Sequence, residues 1–135
     1  MRTDGRRSRI AIGIALALLA PMAARAAGSR EAKASLVSAA VAFVQTLAAG
    51  HFKAAEADFT EQMRQAAPPQ KLSEIWQRLI GQVGPFQHAG RTETVPQGEY
   101  TFVIVRTDFK SRTLGIRVVF DSAGRIAGMQ FVPPP

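Results

Sequence analysis

Residues 100–120, YTFVIVRTDFKSRTLGIRVVF, decide the fold of this chain. Two runs within the stretch, Tyr100–Phe109 and Leu114–Phe120, are rich in β-branched and aromatic residues that recur at a period of two. This pattern predicts two strands joined by a short hairpin loop. If the loop holds an even number of residues, the core side chains of both strands lie on the same face of the hairpin. These are Val103, Val105, Thr107, Phe109, Leu114, Ile116, Val118 and Phe120.

Further strands are predicted on both sides of this hairpin. Residues 126–132 repeat the strand pattern after Asp121–Gly124, which is typical of a type I turn with glycine at the left-handed position. A weaker strand is predicted over residues 86–94, where Gly90 interrupts the alternation. Because no long helix separates the strands, we expect them to form an antiparallel meander.

Upstream of Pro85 the apolar period is 3.6, which predicts helices. Gly50 and Gly84 fit helix C-termini, and Pro68 and Pro69 forbid continuation of a helix. The three predicted helices cover residues 36–48, 52–63 and 72–83. We therefore expect an α+β fold, with three N-terminal helices packed on one face of a curved antiparallel sheet of about four strands.

The N-terminal residues have the order of a secretory signal peptide. Arginines precede an apolar run over residues 10–20, and small residues follow, which predicts cleavage after Ala26. A helix over this run would rise about 16 Å, whereas a hydrocarbon core is about 30 Å thick. An uncleaved anchor, lengthened by the flanking alanines, is the alternative. The pair Arg6-Arg7 lacks the aromatic residue expected two positions on, so the export route stays open between general secretory and twin-arginine.

The predicted organisation follows from this cleavage site. It comprises a signal peptide at 1–26, a flexible leader at 27–34, a single α+β domain at 35–132 and a proline tail at 133–135. We expect the protein to be periplasmic or secreted.

Charge and cysteine content exclude several classes of protein. The chain has 17 basic and 10 acidic residues, a net charge of +7, of which five arginines and one aspartate lie in residues 1–26. The remaining 12 basic and 9 acidic residues give a net charge of +3 and form no run, so we expect no nucleic-acid partner. The absence of cysteine excludes disulfides, a thiol nucleophile and a lipid-bearing cysteine. We expect no membrane contact after cleavage.

The sheet face opposite the core is predicted to be unusually apolar, and it also carries charges. Arg106 and Arg117 are predicted to lie directly opposite each other, which is unfavourable without a counter-charge. That charge is Asp108 or Glu93, or else an anionic ligand or a partner's carboxylate. Trp76, on the buried stripe of the third helix, either lines a pocket or fills the core. The apolar side chains assigned to this face are Phe102, Ile104, Val119, Met129 and Phe131. The candidate pocket or interface residues are Trp76, Phe102, Ile104, Arg106, Arg117, Met129 and Phe131.

We predict no catalytic residue, metal site or cofactor. The sequence contains no Gly-x-Ser-x-Gly elbow, no phosphate-binding glycine loop and no His-Glu-x-x-His. Its two histidines, His51 and His88, are expected at a helix start and at a loop or strand edge. Because the predicted core face offers mainly apolar side chains and threonine, binding or packing is favoured over acid–base chemistry.

Several motifs between residues 43 and 131 carry a family resemblance. They are Leu47-Ala48-Ala49-Gly50-His51-Phe52, Phe59-Thr60-Glu61-Gln62-Met63, Gly84-Pro85-Phe86, Val118-Val119-Phe120-Asp121 and Gly124-Arg125-Ile126-Ala127-Gly128. Together they resemble the domain of unknown function 3887 family, although that family usually has an acidic residue where this chain has His51. The resemblance implies the nuclear transport factor 2-like superfamily, with a cone-shaped, cystatin-like fold. It also implies exported proteins in which such a domain often precedes a hydrolase domain.

These features together predict an exported, non-catalytic binding or accessory domain. It would act through a small apolar pocket or through a protein contact at the sheet face. The alternatives are a small isomerase-like or dehydratase-like enzyme of the same fold, or a purely self-associating structural module. The expected partners are a second copy of the chain, another exported protein or a small apolar ligand, and no cofactor is expected.

Overall fold

A computed structural model describes Gly28 and residues 30–135. The chain divides into two compact units, Met1–Ala34 and Ser35–Pro135. The predicted signal peptide and its cleavage site lie outside the described residues. Gly28 and residues 30–34 are helical, where the sequence predicts a flexible leader. No helix in the described part of the chain is both long enough and apolar enough to cross a membrane.

Four α-helices precede the sheet in the second unit. They are α1 at residues 35–48, α2 at Phe52–Ala55, α3 at Glu61–Ala66 and α4 at Pro69–Val83, with a 3-10 turn at Glu56–Asp58 after α2. Helix α1 ends as predicted at Gly50, whose φ of 80° only glycine adopts readily. The Gly50 amide donates to the Leu47 carbonyl and the His51 amide to the Thr46 carbonyl, which satisfies two otherwise unpaired carbonyls of the last turn.

The prediction of three N-terminal helices is wrong in number and in placement. The predicted second helix is interrupted at Phe59, which is extended, buried and bridged in parallel to Ile126 of the sheet. The Thr60 hydroxyl then accepts a hydrogen bond from the Met63 amide at 3.1 Å and starts α3 as a new helix. Burial of the Phe59 ring and this N-cap together outweigh the helical period. The last helix, α4, lies in the middle of the chain.

Four antiparallel strands follow and form one open sheet in the order β1-β2-β3-β4. Their bounds are β1 at Phe86–Gln97, β2 at Tyr100–Phe109, β3 at Thr113–Phe120 and β4 at Ile126–Val132. The α+β class and the antiparallel meander are confirmed. The predicted core face is also confirmed, since alternate residues of β2 and β3 are buried in one cluster with helix residues such as Val44, Leu72 and Trp76. Leu114 is the one member of that face that is only partly buried.

The hairpin between β2 and β3 differs from the predicted register by two residues. Arg117 lies opposite Ile104, and Arg106 lies opposite Gly115, so the two arginines are not directly opposed. The turn consists of Lys110 and Ser111, because the Phe109 amide already donates to the Arg112 carbonyl at 2.9 Å. A shift of two residues keeps the alternation of faces, which is why the predicted core face survives.

Strand β4 contains a bulge that reverses the predicted faces of Met129 and Phe131. Phe120 pairs with Ile126, but Val119 pairs with Gly128, so Ala127 is an extra residue on β4. Beyond the bulge, Met129 lies opposite Val118 and Phe131 opposite Ile116, both of which belong to the core face. The assignment of Met129 and Phe131 to the opposite face is therefore wrong, since one inserted residue inverts every later position.

Candidate functional site

The sheet face opposite the helices, here called the outer face, is the surface with the most unusual composition. Phe102 and Ile104 of β2 and Val119 of β3 lie on it, and all three are half-buried. A Cβ built at Gly115 would lie 2.9 Å from Ile104 Cγ2 and 3.0 Å from Val132 Cγ2, so both side chains lean over that glycine. The centre of the outer face is therefore a continuous apolar strip that crosses β2, β3 and β4.

One cross-strand row on the outer face places opposite charges on either side of an apolar residue. Glu93 of β1 pairs with Ile104 of β2, which pairs with Arg117 of β3. Adjacent strands are about 4.8 Å apart, so Glu93 and Arg117 are separated by roughly 10 Å. Neither forms a salt bridge with a described residue. The row presents one unpaired negative charge and one unpaired positive charge, with Ile104 midway between them.

Arg117 is held in place by contacts other than a carboxylate. Its guanidinium carbon lies 4.9 Å from the centroid of the Phe102 ring, and Nη2 donates to Gln130 Oε1. Its Nε is buried and has no hydrogen-bond acceptor among the described residues. An Arg N–H normally has a hydrogen-bond partner when it is removed from water, so the unpartnered Nε is an exception among the described residues.

Asp108 forms a second polar cluster at the hairpin end of the outer face. One carboxylate oxygen, Oδ2, lies 2.7 Å from His88 Nε2. The other, Oδ1, accepts from Thr113 Oγ1 at 2.8 Å and lies 3.6 Å from Arg106 Nε. The predicted pairing of Arg106 with Asp108 is thus present in the structure. Because both carboxylate oxygens have partners on β1, β2 or β3, the cluster ties three strands together.

The sequence did not indicate that His88 and Asp108 would meet. They are paired residues on β1 and β2, but irregularities in β1 between Phe86 and His88 and between Ala89 and Thr92 set this register. Gly90 was the visible signal of such an irregularity, since glycine inside a strand pattern often marks a bulge. His51 lies at the start of α2, as predicted, and contributes no side-chain cap there.

Trp76 is buried between α4 and the sheet. Its ring centroid lies 5.8 Å from that of Phe109 and 6.5 Å from that of Phe86, in tilted arrangements typical of aromatic packing. Among the described residues the one buried polar side chain is Thr107, whose hydroxyl donates to the Val105 carbonyl at 3.1 Å. In this part of the chain, the interior between helices and sheet holds no buried carboxylate, histidine or tyrosine.

Two surface grooves are small. One, of about 100 Å³, lies among α1, α2 and the start of β4 and is lined mainly by alanines with Phe43 and Asp58. The other, of about 210 Å³, lies beside α4 and is bordered by Phe131 of β4. Pockets for small organic ligands are usually about 300–1,000 Å³, so both are undersized. No three His, Asp or Glu side chains cluster as metal ligands within residues 30–135.

Comparison with known proteins identifies the family. The model of the family described as "Protein of unknown function (DUF3887)" matches residues 40–129. The chain belongs to this family. It is also similar to esterase EstD of Thermotoga maritima, with 29% identity over 89 residues, which is 66% of this chain and 22% of the esterase. The chain thus spans about a fifth of the length of that relative. No solved structure matches the chain.

Proposed function

We propose that this DUF3887 domain is an exported, non-catalytic protein-contact module that pairs with a second copy of itself through the outer face. The observation that carries the proposal is the row Glu93–Ile104–Arg117, with unpaired opposite charges flanking an apolar centre. An isologous interface must be self-complementary. This row satisfies that requirement in one orientation of the two copies.

The orientation follows from the symmetry of the row. When two sheets pack face to face around a two-fold axis parallel to β2, left and right exchange between the copies. Glu93 of one copy then faces Arg117 of the other, twice over, and Ile104 faces Ile104. An axis perpendicular to the strands would instead oppose like charges. The row therefore selects the aligned arrangement common to stacked sheets, which are about 10 Å apart.

The apolar strip supports the same proposal. Phe102, Ile104, Val119 and Val132 would be covered in the dimer, and burial of apolar surface contributes about 25 cal/mol per Å². The guanidinium of Arg117, which forms no salt bridge with a described residue, would gain a carboxylate partner. Within the described residues, the cluster of buried apolar side chains and the two undersized grooves favour this protein contact over a small apolar ligand. The lack of a buried acid or base there argues against the isomerase or dehydratase alternative.

The wider setting of the domain is also part of the proposal. The bulges of β1 and β4, and a sheet with helices on one face, support a nuclear transport factor 2-like cone. The match to about a fifth of an esterase supports a module that accompanies hydrolases. We attribute no ester hydrolysis to this chain, because its sequence contains no Gly-x-Ser-x-Gly elbow.

Reversing the charges of the row tests the dimer. We expect Arg117→Glu and Glu93→Arg each to raise the dimer dissociation constant at least about tenfold, because each creates two like-charge contacts. The double variant E93R/R117E restores the opposite pairs and should recover most of the affinity. Sedimentation equilibrium measures the three constants. Arg78→Glu, a reversal on α4 away from the outer face, serves as the matched control and should leave dimerisation unchanged.

A native protein that stays monomeric at millimolar concentration contradicts the dimer. So does a double variant that dimerises no better than the single variants, because the charges would then not face each other. Raising the salt concentration should increase the dissociation constant of the native dimer modestly, because dissolved ions screen partly exposed ion pairs. The Debye length is already about 8 Å at physiological ionic strength.

Export is tested at the N-terminus. We expect the protein recovered from the periplasm or medium of a Gram-negative host to begin at Ala27, because Ala24 and Ala26 provide the small residues that signal peptidase requires. Edman sequencing or intact-mass measurement gives the result. A full-length, membrane-associated product would instead support the uncleaved anchor. Ala26→Phe should block cleavage and serves as the control.

A further inference from the structure

The two edges of the sheet are built differently. Strand β1 is an edge strand with two register irregularities, and it carries Arg91, Glu93 and Pro96. Bulges, charges and proline are the usual features that prevent an edge from pairing with another chain. Strand β4, at the other edge, has the sequence IAGMQFV, which contains neither a charged residue nor a proline. Only one edge is protected.

The start of the β4 edge already accepts an added segment. Phe59 forms a parallel bridge with Ile126, and the Thr60 amide donates to the Ile126 carbonyl at 2.9 Å. This pairing stops at once, because α3 begins at Glu61. From Gly128 to Val132 the edge has no strand partner other than β3 within the described residues. The unpaired backbone groups there are available to an incoming strand.

A groove with mixed chemistry lies directly beside this free edge. It has a volume of about 210 Å³, and its wall combines Ile75 and Leu79 of α4 with the ring of Phe131. Phe131 is 37% exposed, which is high for a phenylalanine on the core-facing side of a sheet. Arg78 and Gln82 complete the lining. The groove therefore offers an apolar floor for one side chain next to a guanidinium.

The charge of the groove selects the occupant. Arg78 forms no salt bridge with a described residue, so it is free to bind a carboxylate. Side chains two positions apart on a strand point to the same face. If an apolar residue of an extended segment fills the groove, the residue two positions away lies on the same face of that segment. An acidic side chain at that position can reach Arg78.

We propose that the β4 edge binds an extended segment of a partner protein that carries an apolar residue and an acidic residue two positions apart. The segment adds as a fifth strand alongside Gly128–Val132, and main-chain hydrogen bonds supply affinity while the groove supplies specificity. This surface is distinct from the outer face, so it does not depend on the proposed dimer.

The test uses a synthetic peptide, Thr-Val-Leu-Thr-Glu-Val-Thr, with the leucine and glutamate two positions apart. We expect binding to the purified protein to slow hydrogen exchange of alternate amides within Gly128–Val132, as measured by NMR. Arg78→Glu should weaken the peptide at least about tenfold, and a peptide with lysine in place of glutamate should recover that loss. Arg117→Glu, which targets the proposed dimer, should leave peptide affinity unchanged.

Three results would overturn the proposal. They are binding that protects none of these amides, equal affinity for the native protein and Arg78→Glu, and a lysine peptide that fails to rescue. Protection that appears when the protein alone is concentrated would assign the edge to a second copy of the chain.

Discussion

Replacement of Trp76 by alanine is expected to lower the free energy of unfolding by about 3–5 kcal/mol, the range for removing a large aromatic side chain from a packed core. The ring is 4% exposed and joins α4 to the sheet through Phe86 and Phe109. Loss of the ring removes its apolar contact area and leaves a cavity between the helices and the sheet. Neither layer can move into that cavity without disturbing the packing of the other. A domain of this size has a total stability of about 5–15 kcal/mol, so this single substitution should remove at least about a fifth of it.

Urea denaturation followed by circular dichroism measures this loss, because Trp76 is the only tryptophan and its fluorescence disappears with it. Trp76→Phe keeps an aromatic ring and should cost clearly less than the alanine variant. Gln77→Ala, at the next, exposed position of α4, should change stability by no more than about 0.5 kcal/mol. A loss below about 1 kcal/mol for Trp76→Ala would mean that the ring lies in a loose pocket rather than in a packed core.

The fold class could be predicted because two periods in the sequence are unambiguous. The change from a period of 3.6 to a period of two at Pro85 separates helices from strands. The observed bounds of α4, β2 and β3 agree closely with those that the two periods predict. The core face of the hairpin was also predictable although its register was not. Any even loop gives the same alternation, so Val105 and Ile116 are buried in either register.

The errors arose where one residue interrupts a period. Ala127 enters β4 as a bulge and moves Met129 and Phe131 to the other face. Phe59 leaves the helical pattern because a buried ring and a bridge to Ile126 stabilise the extended backbone. Both depend on tertiary contacts in the same part of the molecule, where Phe59 meets the start of β4. Local patterns cannot reveal them, because the partner residue lies far away in the sequence.

The candidate site was predicted in part for the same reason. Phe102, Ile104, Arg106 and Arg117 lie on the outer face as expected, because their strands contain no irregularity between them. The pairing of Glu93 with Ile104 depends on the irregular strand β1, and it became visible only in the structure. The opposed charges around Ile104, which carry the proposed function, therefore could not be derived from the sequence alone.

The turn of the β2–β3 hairpin is docked against the end of α4. The Lys110 amide donates to the Pro85 carbonyl at 3.0 Å, and the Ser111 amide donates to the Val83 carbonyl at 2.9 Å. Gly84 lies between these two acceptors with φ 85° and ψ 175°, a conformation almost confined to glycine. The turn can approach this closely only because residue 84 has no side chain.

Gly84→Ala is accordingly expected to destabilise the protein by about 3 kcal/mol. Backbone strain contributes about 1–3 kcal/mol, and the new Cβ would lie 2.8 Å from Lys110 Cβ, which forces the turn away from α4. Gly81→Ala is the matched control, because a Cβ there meets nothing within 4 Å. In the interior of α4 that change should stabilise the protein by about 0.5–1 kcal/mol, so the two glycine variants are expected to have opposite signs.

Hydrogen exchange distinguishes loss of the docked turn from general destabilisation. In Gly84→Ala the amides of Lys110 and Ser111 should exchange faster than the rest of β2 and β3, because they lose their acceptors on Pro85 and Val83. Thr113 Oγ1 still donates to Asp108 there, so the two-residue register should persist after the turn has moved away. If the turn instead lengthened to residues 110–113, Arg106 would oppose Arg117. The contact with α4, rather than the local pairing of Thr113, would then determine which residues of β2 and β3 lie opposite each other on the outer face.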